Sequence, residues 1–325
     1  MHYREEREGR AKIGFRSILR APFAIFAVIA CSPIEIILRP ILQTRASPIV
    51  GTACVALAAM GWGTWSLFVR GRGLPAAWES VMILVVIGAA SLPGALLSAS
   101  RSPRRPARAW LRMGALGIVD AGNYVCYFAA IERAVGVGVL THYLAPVLVA
   151  ALAPIYLREP PGRRTPLALG GAVAGLVLLV LGGDRLGGAA LPAAAFGAAS
   201  AFFYAGNTLI SKKLFAQFTP AEALSFHSFI AAIVLAVLAR DALPPLRMFL
   251  FAPLAGALLA GTVCGWLYYV GLRLIPAQRA AVLTYLEPLV GTVVGAVAFG
   301  ERLGAPGLLG AALVLVSGAA VALQR

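Results

Sequence analysis

The chain has 325 residues, 60% of them hydrophobic and 13% charged, with a formal net charge of +15. That balance excludes an ordinary soluble domain, in which charged residues supply about a quarter of the chain, and it describes a multi-pass membrane protein. The basic excess calls for no nucleic-acid partner, because the loops are too short for a binding domain and basic cytoplasmic loops facing anionic lipid give the same sign.

The first 48 residues begin with the charged stretch MHYREEREGRAKIGFRSILR and continue with APFAIFAVIACSPIEIILRP, an apolar run too short to span and broken by Pro33 and Glu35. An interfacial helix, an uncleaved signal-like segment, an eleventh span and an upstream start-codon artefact are the alternatives weighed. The preferred reading is a non-spanning extension.

From Ile49 onward, apolar runs fall at about 49–69, 77–97, 110–131, 135–157, 165–182, 191–211, 220–239, 249–272, 278–299 and 303–323. Each is close to the roughly 20 residues that carry a helix across about 30 Å of hydrocarbon. Frequent Gly, Ala and Pro favour helices packed closely on one another in lipid. The predicted fold is therefore an all-α membrane protein of ten transmembrane helices.

The fourth and ninth runs carry the same pattern. VLTHYLAPVLVAALAPIYLRE spans Val139 to Glu159 and VLTYLEPLVGTVVGAVAFGE spans Val282 to Glu301. Tyr143 and Tyr285, Pro146 and Pro288, and Glu159 and Glu301 all share one offset (288 − 146 = 142). A period this long divides the chain into two similar halves, 49–182 and 191–323, of five runs each. Because five is odd, halves of the same internal fold must enter the membrane from opposite sides, as inverted repeats. With the N-terminus taken as cytoplasmic, the N-terminal extension, even-numbered loops and C-terminus hold 21 of the 28 Lys and Arg residues and the odd loops hold seven. The positive-inside bias puts both termini in the cytoplasm, at the inner (plasma) membrane.

The second-half segment YLEPLVGTVVGAVAFGERLGAPGLLGAALVLVSGAAVAL resembles the C-terminal signature of the EamA-type permeases of the drug/metabolite transporter superfamily. The first half's YLAPVLVAALAPIYLREPPGRRTPLALGGAVAGLVLLVLGG is similar in weaker form, and the resemblance covers about residues 49 to 323. It implies a ten-helix secondary transporter of inverted repeats around a central cavity, and the Leu-Glu-Pro form is similar to that of exporters of amino acids and related metabolites.

The residues themselves supply site candidates. Proline inside a helix cannot donate to the carbonyl four residues back, so Pro146 is expected to free the His142 carbonyl and Pro288 that of Thr284. Each half then has a kinked helix near mid-membrane, a feature that serves packing as readily as function. Glu287 is an acidic residue deep in an apolar run, which costs roughly 2.5–3.5 kcal/mol on insertion scales if ionised and so marks a partnered, protonated or functional group. Asp120 lies at comparable depth, and the two are the candidates for proton coupling. His142 is a titratable candidate beside the first kink, although a lone histidine in such a helix is more often a neutral hydrogen-bonding group. His227 is read as structural.

Trp62, Asn123, Tyr127, Tyr143, Tyr204, Asn207, Tyr269 and Tyr285 complete the substrate-binding candidates, since buried Tyr, Trp and Asn need partners that a shared cavity supplies. Trp78 and Trp110 read as residues of an interfacial belt, and Glu159 and Glu301 as acidic groups that satisfy the first amides of the following helix. The cysteines show no CxxC spacing and the three histidines no ligand spacing, so no metal and no cofactor is expected.

The expected function is a secondary active transporter, a monomer or homodimer, that exports a small organic solute, amino-acid-like or drug-like, by alternating access and with coupling to protons. A membrane-embedded enzyme or sensor is the alternative. It lacks any phosphate-binding loop, HExxH or GxSxG motif in support.

Overall fold

The computed structural model describes residues 47–69, 73–99, 105–133, 135–160, 162–181, 190–239, 242–299 and 305–322. The N-terminal extension up to residue 46 and Glu301 lie outside the described residues.

The described chain is helical: α1 Ser47–Trp62, α2 Ser66–Val69, α3 Ala76–Ala99, α4 Ala107–Arg133, α5 Val135–His142, α6 Ala145–Tyr156 and α7 Thr165–Leu181 form the first half. The second half contains α8 Ala190–Leu214, α9 Pro220–Leu238, α10 Ala252–Gly256, α11 Cys264–Leu274, α12 Ala277–Leu283, α13 Leu286–Phe299 and α14 Ala305–Ala322. A π-helical segment, Ala257–Val263, joins α10 to α11. Thr262 stabilises it by donating from Oγ1 to the carbonyl of Ala257 at 3.0 Å.

Five segments are long and apolar enough to cross a membrane: Pro48–Phe68, Ala77–Ser98, Leu191–Leu214, Pro220–Leu238 and Ala252–Leu274. Ala145–Tyr156 and Thr165–Gly175 are shorter apolar helices. Large apolar side chains such as Ile155 and Leu167 are more than 80% exposed. In water they would be costly patches, whereas lipid accepts them.

Helix pairing respects the repeat. α3 packs on α9 and α7 on α14, each helix meeting its own counterpart. α1 packs on α11 as α8 packs on α4, and α12 and α13 reach α1 as α5 and α6 reach α8. The contacts are antiparallel. A Cβ on Gly51 would lie 2.7 Å from Ile275, and one on Gly61 would strike Cys264, so α1 and α11 run in opposite directions. Gly94 faces Ala221 and Gly88 faces Phe229, which sets α3 against α9 in the same sense. The counterpart helices α3 and α9 thus run antiparallel.

Polar junctions bind one end of the bundle. Arg105 Nη2 donates to Glu222 Oε1 at 2.6 Å and its Nε to the Gln217 carbonyl at 2.8 Å. Glu222 also completes a capping box with Thr219 at the start of α9. Glu159 Oε2 accepts from the Ala277 amide at 2.7 Å, while Lys212 Nζ lies 3.7 Å from Glu159 Oε1 and donates to the carbonyls of Leu272 and Ile275. This corrects the expectation for Glu159. Its acceptor role at a helix start is as read, but the helix is α12 of the other half, whose first amides lie beside it in the packed bundle.

Trp110 packs edge-on against Phe218 with ring centroids 5.1 Å apart and lies 5.6 Å from Phe226, while keeping 47% of its surface exposed.

Candidate functional site

The two Tyr-Leu-x-Pro clusters do more than kink their helices. The fourth run separates into α5 and α6 at Tyr143 and Leu144, and the ninth into α12 and α13 at Thr284 and Tyr285. In each, the proline falls in the first turn of the outgoing helix, where its missing N–H leaves no gap in the ladder. The expected free carbonyl at Thr284 is not free, since the Glu287 amide donates to it at 3.0 Å. A full break lets a tighter turn recover the bond that a simple kink would lose.

The breaks meet. Tyr143 and Tyr285 pack with ring centroids 5.8 Å apart, and Tyr285 Oη donates to the Tyr143 carbonyl at 2.8 Å. His142, one residue before the first break, lies 4.5 Å from the ring of Tyr127, 5.2 Å from that of Tyr143 and 5.3 Å from that of Tyr204. Its Nδ1 is 2.7 Å from Ser200 Oγ, and Ser200 donates to Asn123 Oδ1 at 2.9 Å. His142, Tyr127, Tyr143, Tyr204, Tyr285 and Asn123 thus form one aromatic and polar cluster contributed by α4, α8 and the two broken helices.

Glu287 stands at the edge of this cluster, in the first turn of α13. It lies ten residues past Ala277 (287 − 277), about 15 Å along the path of the two half-helices at 1.5 Å per residue. Its carboxyl interacts electrostatically with Tyr124, Tyr127, Tyr143, Tyr204 and Cys264. Glu287, Tyr124, Tyr127 and Tyr204 are each half-buried. Helix α1 ends against it: a Cβ on Gly63 would lie 2.5 Å from the Glu287 carbonyl oxygen, so only glycine allows that approach.

Asp120 has different company. Asn207 Nδ2 donates to its Oδ1 at 2.9 Å, and His227 Nδ1 lies 3.3 Å from its Oδ2, in an electrostatic contact without hydrogen-bond alignment. On the far side of that ring, His227 Nε2 is 3.0 Å from Tyr269 Oη, and Ser211 Oγ donates to the same hydroxyl at 3.2 Å. Asp120, Asn207, His227, Tyr269 and Ser211 are all buried, and they tie α4, α8, α9 and α11 into one network. Tyr124 interacts with both Asp120 and Glu287 and stands between the two groups.

Trp62 lies 5.0 Å from the ring of Tyr268, whose hydroxyl is 2.9 Å from Thr208 Oγ1. Sequence reasoning passed over Ser200 and Thr208 as members of these networks, and it read His227 as structural. The local signal for Ser200 and Thr208 was their position on the same run as Tyr204, each four residues from it and so on its helix face. An apolar cleft of ≈ 130 Å³ lined by Met82, Ile83, Val86, Phe249, Leu250 and Pro253, among others, shares no residue with either group. Among the described residues no cluster of three or more His, Cys, Asp or Glu could hold a metal ion.

The family model of EamA-like transporters matches residues 49–181 and again 191–323. An archaeal protein from Archaeoglobus fulgidus, named only as an uncharacterized transporter, is 27% identical over 281 residues, covering 82% of this chain and 93% of that protein. A solved crystal structure matches with a TM-score of 0.70 at 20% identity, over 85% of this chain and 99% of its own, a likeness of fold.

Proposed function

The chain belongs to the EamA-like transporter family, and we propose that it is a ten-span secondary transporter that moves a small organic metabolite by alternating access. Both termini lie on the cytoplasmic side of the inner membrane in this reading, because 21 of 28 basic residues fall on that side. The single observation that carries it is the meeting of the two broken helices at Tyr143 and Tyr285, beside an acidic residue with accessible surface. Broken helices near the midplane, at the junction of inverted repeats, are where such proteins place a solute.

Alternating access follows from that geometry. Each half can rock against the other about the Tyr143–Tyr285 junction, exposing the aromatic cluster first to one side and then to the other. The Arg105–Glu222 and Lys212–Glu159 pairs tie the two halves together at one end of the bundle, which fits closure at that end in this reading. Glu287 is the leading residue for proton coupling and Asp120 the second, since Asp120 already has Asn207 and His227 beside it.

The test is a solute screen in proteoliposomes with an imposed pH gradient, run beside Glu287→Gln. Gradient-driven movement of a solute that disappears in the variant supports the reading. Full gradient-driven transport by the variant removes proton coupling at Glu287, and turnover of a solute without its movement replaces transport with catalysis.

A further inference from the structure

We propose that Glu159 and Lys212 form a releasable clamp on the ends of two helices, closed in this structure and opened when the solute path turns to that end of the bundle. The role rests on the alternating-access reading and deepens it by naming the contacts that break as the molecule changes state.

The clamp sets opposite charges on opposite kinds of helix end. Lys212 Nζ, from α8, donates to the carbonyls of Leu272 and Ile275 at 2.7 and 2.5 Å, where α11 finishes. Glu159, just past α6, meets the start of α12. Its Oε2 accepts from the Ala277 amide at 2.7 Å, and its carbonyl accepts from Gln278 Nε2 at 3.2 Å. A helix leaves carbonyls without partners at its C-terminus and amides without partners at its N-terminus, so an ammonium suits the first and a carboxylate the second. The two charges lie 3.7 Å apart, and each holds the other at its post.

The hydrogen bonds cross the line along which the bundle would part. α6 packs on α8, while α11 and α12 both pack on α1. These two groups also meet at the helix breaks, Tyr143 leading into α6 and Tyr285 following α12. Rocking about that contact draws α6 and α8 away from α11 and α12 at the clamped end, and the bonds of Glu159 and Lys212 must give way first.

Burial makes this pair the readier of the two ion pairs to part. The side chains of Lys212 and Glu159 keep 17% and 21% of their surface exposed, so water can take up both charges as they separate. Glu222 is 0% exposed, and pulling Arg105 from it would strand a buried carboxylate. The backbone points the same way. Arg158, which delivers Glu159, has a φ of 60°, a left-handed conformation that residues with a side chain seldom adopt. Strain of that kind persists where surrounding contacts hold it, and it gathers at switch regions.

The test is hydrogen exchange read by mass spectrometry on the full chain in nanodiscs, for the native protein, Lys212→Met and Glu159→Gln. Lys213→Met is the control, since that ammonium lies 3.7 Å from the centre of the Tyr156 ring and takes no part in the clamp. Both clamp variants are expected to speed exchange of the α12 amides roughly tenfold or more, as the loss of a charge-assisted hydrogen bond allows. They are also expected to slow exchange in α2 and α10, which pack together at the opposite end through Phe68 and Gly256. The control is expected to change neither. Faster exchange at α12 without slowing at the opposite end shows a static tie and overturns the proposal, as does unchanged exchange at α12. If one clamp variant does not fold, the other decides alone.

Counterflow by the native chain tests transport separately. A chain that carries solute but shows no reciprocal exchange loses the clamp and keeps transport. Reciprocal exchange in a chain that carries no solute keeps the clamp and removes transport.

Discussion

Tyr285 donates its hydroxyl proton to the backbone carbonyl of Tyr143, its own counterpart 142 positions earlier, at 2.8 Å. The two residues that define the repeat therefore touch where the halves join. The bond is one-directional, since the Tyr143 hydroxyl makes no matching bond back. Symmetry brings the helices together and is broken at the atoms of the junction.

Removing that hydroxyl tests the junction. Tyr285 is 1% exposed, so Tyr285→Phe keeps the packed ring while leaving the Tyr143 carbonyl without this donor. The expected cost is about 1–3 kcal/mol, read as a lower midpoint of thermal unfolding in detergent. Tyr285→Ala removes the ring as well and is expected to cost about 3–5 kcal/mol.

Two glycines predict opposite outcomes for one substitution. Gly63→Ala puts a methyl 2.5 Å from the Glu287 carbonyl oxygen and 2.6 Å from Val290 Cβ, so α1 must move away from α13. That overpacking is expected to destabilise by about 1–3 kcal/mol and to reduce solute binding. Gly114→Ala, inside α4, meets nothing within 4 Å. It is expected to be neutral or to stabilise by up to about 1 kcal/mol.

The Arg105–Glu222 pair should behave as a buried ion pair. Glu222 is 0% exposed, so Arg105→Met leaves a carboxylate buried without its guanidinium. The expected loss is about 3–5 kcal/mol. Glu222→Gln in the same chain is expected to recover much of it, because the Thr219 cap can still be made by a neutral amide. A thermal-unfolding cycle of the two single variants and the double variant gives the result. Additive losses would show that the pair is not coupled.

The Asp120 network offers a second cycle. Asp120→Asn and His227→Gln each weaken the same 3.3 Å contact, so their effects on stability should overlap by about 0.5–3 kcal/mol. Glu287→Gln with His227→Gln should be additive by the same measurement, because no contact joins that pair.

The difference between the two acids was not legible in the chain. Asp120 and Glu287 each read as one carboxyl within an apolar run, at similar depth and with no basic neighbour beside it. Partner choice depends on the rotation of α4 and α13 about their axes and on which helices lie opposite. His227 lies 107 positions from Asp120 (227 − 120), and nothing local to either residue encodes that contact. Glu159 was misassigned for the same reason. It follows α6 and precedes α7 in sequence, yet its partner amide, Ala277, is 118 positions away.

What the sequence determined by itself was periodic and local: the apolar runs, the odd number of runs per half, and the Tyr-Leu-x-Pro clusters whose prolines disturb two helices. These follow from hydrophobic matching to a bilayer and from the missing N–H of proline, which act within one segment. Only the tertiary structure decided that the interruptions meet as Tyr143 against Tyr285, that Asp120 takes an amide and an imidazole as partners, and that Glu287 sits among tyrosines. Those outcomes depend on side chains from separate helices arriving at one point, which is fixed by close packing at residues such as Gly63 and not by the composition of any single helix.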